Sequence, residues 1–532
     1  MKNSKGALLI PFLIAFSATG KAQTTHSVQE TAPRLVVSIL VDGLRSDYME
    51  AFRPLFGTDG LRRLMDGGQV YANASSASDF ADRAAATASL ATGAAPADHG
   101  IVALRWFDRQ TARPIAAVED ATAKGVNTSE TASPVHLVVS TLGDELKVAT
   151  EGKALVYAVA PFSDAAILSA GHAADAALWI DGKTGQWCTT DYYGALPAVA
   201  NARSKMQPVT DRLKREKWQP VTPLVGNFSY FLGRGVKQPF SHDLSTLASF
   251  EAFKTSALIN EEVAAMAESC VTNTMLGADD VTDYLALSLY AGTFLHQPVS
   301  SAGMELQDTY VRLDRAVASL INAVEKKVGI DRALFVLTST GTEEEDTENP
   351  EAYRLPGGTL DMKRTAGLLN MYLAALYGGG QYVDGAFGTQ IYLNHQTLED
   401  RHLAVSEVMT RAEDFLLQVR GVKDVYTSRR LLQGAWTPGL SRIRAAYNAS
   451  VSGDILIEVS PGWKYINEDT KESRLVRASF VPFPIVFYGY GISPKVIETP
   501  VSTDCIAPTL SKAMRIRAPS ACKAAPLSLN NK

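Results

Sequence analysis

Two stretches of the 532-residue chain bring together residue types that do chemistry. "RLVVSILVDG" (34–43) is a β-branched apolar run ending at Asp42, the pattern of a strand buried on both faces. In an open parallel sheet, chemistry gathers at the carboxyl ends of the strands, so Asp42 stands where a carboxylate would hold a metal ion. A turn or N-cap aspartate is the competing reading, and position alone leaves both open. The second stretch, "SDFADRAAATASLATGAAPADHGIV" (78–102), has the form of a turn and helix that would present a catalytic hydroxyl. A helix N-terminus suits an anionic substrate because its free N–H groups and its dipole favour negative charge. Yet an arginine, Arg83, stands where that hydroxyl is wanted.

The elements that must position these residues follow from hydrophobic pattern. Residues 152–160, 283–292, 332–340 and 483–491 repeat the buried-strand run. Helical stretches lie between them. Residues 133–150 offer Ser133 as a cap and Pro134 at the first helical position. Residues 304–329 keep Leu306, Tyr310, Leu313, Val317 and Leu320 near one face and stop at Gly329, and "DCIAPTLSKAMRI" forms the last helix. Buried strands alternating with helices predict an α/β fold, a doubly wound and mostly parallel central sheet with helices on both faces. This α/β domain is expected to span 33–525, with cap-type lobes inserted at roughly 179–270 and 343–454, where turns, short alternating strands and polar helices dominate. "ALWIDGKTGQWCTT" reads as a hairpin.

The N-terminus carries Lys2 and Lys5, an apolar run over 7–18, and small residues Gly20 and Ala22 at the minus-three and minus-one positions of a cleavage site. Residues 1–22 therefore read as a secretory signal, and the run is too short for a membrane anchor. The protein is expected to be exported, periplasmic or secreted, with no transmembrane segment after cleavage. Cleavage removes Lys2, Lys5 and Lys21 and moves the formal net charge from −5 to −8. An acidic chain with no concentrated Lys/Arg run does not bind nucleic acid. The four cysteines, Cys188, Cys270, Cys505 and Cys522, contain no C-x-x-C pair, which argues against a zinc ribbon. Disulfides (Cys505–Cys522 or Cys188–Cys270) and unpaired buried thiols both remain open.

"VDGLRSDYM", "TGAAPADHGIV", "RWFD", "LQDTYVRLD", "SGDILIEVSPGW" and "STDCIAPTLSKAMRI" occur in that order. In this the chain resembles the alkaline phosphatase superfamily, in particular the secreted single-chain bacterial alkaline phosphatases related to type I phosphodiesterases and nucleotide pyrophosphatases. The resemblance covers nearly the whole mature chain. It implies a two-zinc phosphoryl-transfer site in which a Thr or Ser at a helix N-terminus attacks phosphorus and Asp and His side chains hold the metals.

Those positions can be looked up here. Asp42 matches the first metal aspartate, but counting back from Thr92–Gly93 places Arg83 at the nucleophile, and a guanidinium cannot attack phosphorus. Thr87 and Ser89 lie further along the same helix, off the nucleophile position. The Asp and His expected after the central strand are Thr293 and Gln297, with His296 one residue out of register. The Asp-His pair expected after the next strand is Ser339 and Thr340, both poor zinc ligands. The acidic run 343–346 that follows reads as a solvated loop. No histidine occurs in 467–482, where the last ligand is expected, and Ser163 and Ala165 stand where phosphate-contacting basic residues should be. The asparagine expected before "RWFD" is also replaced. Of eight histidines, His99 and His172 fit structural positions of the family, and only His296 lies near a ligand slot.

The sequence therefore predicts a non-catalytic member of the superfamily with a vestigial site of Asp42, Arg83, Thr293, Gln297, Ser339 and Thr340, no catalytic residue and no cofactor. Such a protein acts by binding. Arg83 either offers its charge to a small anion or phosphate ester or pairs with Asp42, and an envelope protein is the other candidate partner. The alternative is an active metal-dependent phosphomonoesterase or phosphodiesterase with a shifted site, using zinc held by Asp42 and His296.

Overall fold

The computed structural model describes residues 32–79, 82–226, 239–246, 250–297, 299–341, 357–434, 437–467, 472–476 and 481–529. The expected signal segment 1–22, the acidic run 343–346 and the start of the second lobe fall outside these residues.

Eleven strands build the central sheet: β1 (Leu35–Asp42), β2 (Gln69–Ser75), β3 (Gly125–Val126), β4 (Val156–Val159), β5 (Ala176–Ile180), β6 (Trp187–Thr190), β7 (Asp283–Tyr290), β8 (Ala333–Ser339), β9 (Phe483–Gly489), β10 (Lys495–Ile497) and β11 (Val501–Ser502). Their order is β10-β2-β9-β8-β1-β7-β4-β5-β6-β3, with β11 also paired to β2. Five neighbours, β8-β1-β7-β4-β5, run parallel. Alternate residues of β1 enter two different cores: Leu35, Val37, Ile39 and Val41 on one face, Val36 and Leu40 on the other. Helices cover both faces, so the predicted architecture is the observed one, and the runs that suggested buried strands are buried for that reason.

The flanks differ from expectation. β9, read as another strand of the buried pattern, runs antiparallel to β8 and to β2, and the β5–β6 hairpin extends the opposite side antiparallel. The sheet is mixed. β9 is covered on both faces like its parallel neighbours, so its composition carries no sign of its direction.

The helix expected from Ser133 begins instead at Leu142. Thr141 caps it through a reciprocal capping box with Asp144, whereas the Ser133 hydroxyl donates to Asp120. Residues 179–270, expected as a cap lobe, are woven into the main body. Trp179 and Ile180 belong to β5, Trp187–Thr190 form β6, and Leu196, Val209, Trp218 and Phe253 join the core on one face of the sheet. The helix Leu258–Asn273 covers that face. Glu262 on this helix, 2% exposed, accepts from Trp187 Nε1 at 2.9 Å and from Arg203 Nε and Nη2 at 2.7 Å each. Polar residues that suggested a lobe are thus buried ion-pair partners.

The second stretch has a core of its own, in which Leu360, Leu369, Leu373, Ile391, Leu416 and Ile457 pack together. It carries a four-stranded and a three-stranded sheet and continues past residue 454 through Glu472–Leu475. Arg109 fastens it to the main body, donating to Asp454 and to the Ser452 carbonyl, while His395 pairs with the other Asp454 oxygen at 2.8 Å. No helix among the described residues is long and apolar enough to cross a membrane.

Removing Glu262 strands a buried guanidinium and an indole N–H. Glu262→Ala should therefore lose about 3–5 kcal/mol of unfolding free energy in a urea titration, far more than a surface Glu→Ala change.

Candidate functional site

The carboxyl ends of β1, β7 and β8 meet at one edge. Asp42 ends β1, and its carbonyl accepts from Ala291 just beyond β7. Thr340, just beyond β8, donates its hydroxyl to Asp42 Oδ1 at 2.8 Å and accepts from the Gly43 N–H at 3.3 Å. Gly43 has φ +76, and a Cβ there would stand 3.2 Å from the Gly292 nitrogen, so the close approach of the two loops requires glycine.

Two helices aim their N-termini at this edge: Arg83–Thr92, capped by Asp82 through the Ala85 N–H, and Ser163–Ala170. Arg83 is the first residue of its helix. Its Nε and Nη2 donate to the two oxygens of Asp164 at 2.8 and 3.0 Å, a bidentate pair, and its Nη1 lies 3.6 Å from Asp42 Oδ2. The guanidinium carbon sits 4.0 Å from the centroid of the Phe162 ring. The three charged side chains are 12–16% exposed. Burial alone would lower the Arg83 pKa. The Asp164 carboxylate, with smaller contributions from Asp42 and Asp82, outweighs burial and raises it above the ordinary value. The cation is permanent.

The expected pairing of Arg83 with Asp42 is present, but Asp164 is the stronger partner, and sequence reasoning did not single it out. It lies between Ser163 and Ala165, the positions inspected for missing basic residues. Phe162 and the buried Lys254, whose ammonium stands 4.9 Å from the same ring, were missed as well.

The remaining predicted residues divide in two. Thr293, Ser339 and Thr340 are buried at the site. Ser339 donates to the Leu44 carbonyl and accepts from the Gly341 N–H, so its hydroxyl serves the backbone. His296 and Gln297 are exposed on a turn where Leu295 and His296 have positive φ. Thr87 donates back to the Arg83 carbonyl at 2.7 Å. Ser89 is buried one turn inside the helix against His99: the Ile101 N–H donates to His99 Nδ1, which leaves Nε2–H to donate to Ser89 Oγ at 3.0 Å.

A two-zinc centre needs about four N, O or S donors per metal. Here the edge offers Asp42, bonded to Thr340 and faced by a guanidinium, Asp164, held bidentately by the same guanidinium, and neutral hydroxyls. Among the described residues no three His, Cys, Asp or Glu side chains converge as a metal-holding group. Among the described residues the donor set does not fit a zinc pair.

A mixed central sheet with helices on both faces is the fold of the alkaline phosphatase superfamily. The chain belongs to the type I phosphodiesterase / nucleotide pyrophosphatase family, whose model matches residues 36–480. It is 28% identical over 530 residues to alkaline phosphatase PafA of Elizabethkingia meningoseptica, covering 95% of this chain and 96% of the relative. With alkaline phosphatase PhoV of Synechococcus elongatus it shares 27% over 548 residues, covering 96% and 97%. The crystal structure of wild-type PafA matches with a TM-score of 0.84 at 27% identity, over 93% of this chain and 98% of that one.

Two outcomes follow from this geometry. Arg83→Ala leaves two carboxylates facing each other without their cation and should cost about 3–5 kcal/mol in denaturant unfolding. Arg83→Lys should recover only part of that, because an ammonium cannot reproduce the planar fork. Burial holds the His99 imidazole down at about 3 against an ordinary 6.5. The unfolded chain therefore takes up a proton that the folded one refuses. Stability is full above about 6.5 and falls as the pH drops through the window to about 3. In His99→Gln the pH dependence of the melting temperature over that window should be shallower.

Proposed function

We propose that this chain is an exported, non-hydrolytic member of its family that acts in the cell envelope by binding a partner. The observation that carries this reading is Arg83. At the position where the family resemblance calls for a nucleophilic hydroxyl stands a permanent cation, held by Asp164 on one edge and facing Asp42 on the other. A guanidinium supplies no nucleophile, and its charge opposes a zinc ion at the same carboxylate.

The same geometry separates the two binding readings. Two carboxylates already balance Arg83, so the charge is spent internally and does not favour a phosphate, sulfate or carboxylate ligand. A protein partner in the envelope is the reading that remains, with localisation resting on the basic and apolar segment 1–22.

An active phosphomonoesterase or phosphodiesterase is the second reading. Similarity to alkaline phosphatases along the full length of the chain supports it. It requires a nucleophile and metal ligands other than those the resemblance assigns.

Elemental analysis and hydrolysis assays decide between them. Mature protein dialysed with zinc should retain no stoichiometric metal, and its hydrolysis of aryl phosphate mono- and diesters should equal that of a mock purification. Two tightly held zinc ions per chain, or turnover that copurifies with the protein and is abolished in Asp42→Ala, would establish the enzyme instead.

A further inference from the structure

The four thiols sit in two different settings. Cys188 and Cys270 are fully buried, and they belong to the cores on opposite faces of the central sheet, so they cannot be joined without crossing it. Burial pushes the Cys270 thiol up to about 12 and raises Cys188 as well, and neither is open to an exchanging disulfide. Cys505 and Cys522 are free thiols, only partly buried, and the Cys522 sulfur and the carbonyl just before Cys505 both stand against Gly93.

Cys505 is the residue before the last helix, Ile506–Met514. After that helix Arg515 adopts a left-handed conformation (φ +59), and the chain doubles back over it. The returning tail is fixed at several points. Ser520 and Lys523 bond to Ser140 and Asp98, the Leu527 N–H donates to Thr509 Oγ1 at 2.7 Å, and the Ser528 carbonyl accepts from Tyr71 and Gln69. Thr509 in turn donates to the Cys505 carbonyl. Gly93, which ends the Arg83 helix, marks where tail and helix start meet. A Cβ there would stand 2.9 Å from Cys522 Sγ and 3.1 Å from the carbonyl oxygen of Asp504, the residue preceding Cys505. The sulfurs have long contacts to oxygen: Cys505 Sγ lies 3.8 Å from Asp504 Oδ1, and Cys522 Sγ 3.8 Å from the Ala524 carbonyl. Burial and the adjacent Asp504 raise the Cys505 thiol to about 11, and Cys522 adds to the rise.

We propose that Cys505 and Cys522 form a disulfide in the exported protein, a clasp that locks the C-terminal tail over the last helix behind Gly93. The two thiols lose two protons and two electrons, and one S–S bond forms. The electrons pass to an exchanging disulfide, protein-borne or small-molecule, which is reduced to its two thiols. The bond would persist only in an oxidising compartment, so the proposal rests on the export reading.

Thiol counting tests it on the full mature chain. Protein from the envelope fraction, denatured and alkylated without reductant, should expose two thiols, at Cys188 and Cys270, and digestion should yield one peptide pair joined through Cys505 and Cys522. Reduction should restore four thiols and lower the melting temperature, while Cys505→Ser should melt at the same temperature with and without reductant. Four free thiols in envelope protein, or a bond that includes Cys188 or Cys270, would overturn the proposal. Purified reduced protein in a glutathione redox buffer gives the second arm. Closure of the same pair supports the geometry, and glutathione mixed disulfides at these positions refute it. A chain found reduced in the cytosol that closes in this buffer would show that the export reading, not the clasp, is at fault.

Discussion

The bidentate contact between Arg83 and Asp164 is the interaction on which the site edge depends. A buried cation at the first residue of a helix is in a poor place, because the dipole at that end favours anions. Three carboxylates from separate parts of the chain offset this: Asp82 as the helix cap, Asp164 from the neighbouring helix and Asp42 from β1. The guanidinium also lies against Phe162 and so fills volume as well as balancing charge. It holds both helix starts to the end of the first strand.

The contact also changes what full-length similarity to alkaline phosphatases implies. The central sheet and its helices share the fold of alkaline phosphatase PafA, and His99 braces Ser89 of the helix Arg83–Thr92 from inside. Fold and bracing reach this chain through the sequence as a whole. Activity depends on a few side chains at a site rather than on the fold that carries them.

The parts of the fold carried by local pattern were legible before the structure. β1, β7 and β8 announce themselves as apolar runs, and Leu306 to Leu320 share a buried helix face as their spacing requires. What depends on tertiary pairing was not legible. The direction of β9 leaves no trace in a strand covered on both sides. Glu262, Arg203 and Arg212 look like solvated charges until Glu262 is found buried against Trp187 with the two partly buried arginines beside it. Ser133 and Thr141 are equally good caps in sequence, and the presence of Asp144 three residues after Thr141 decides between them. At the site, Asp42 and Arg83 could be read from strand end and helix start. Asp164 could not, because its meaning comes from an arginine 81 residues away.

The same pair constrains how this protein can change by descent. Exchanging Arg83 for a hydroxyl residue removes a cation that bridges Asp164 and Asp42. Exchanging Asp164 first strands the arginine. Each single exchange therefore lowers stability, and only a paired exchange keeps the charges balanced. The salt bridge therefore works as a latch in sequence space that holds its two residues in place together.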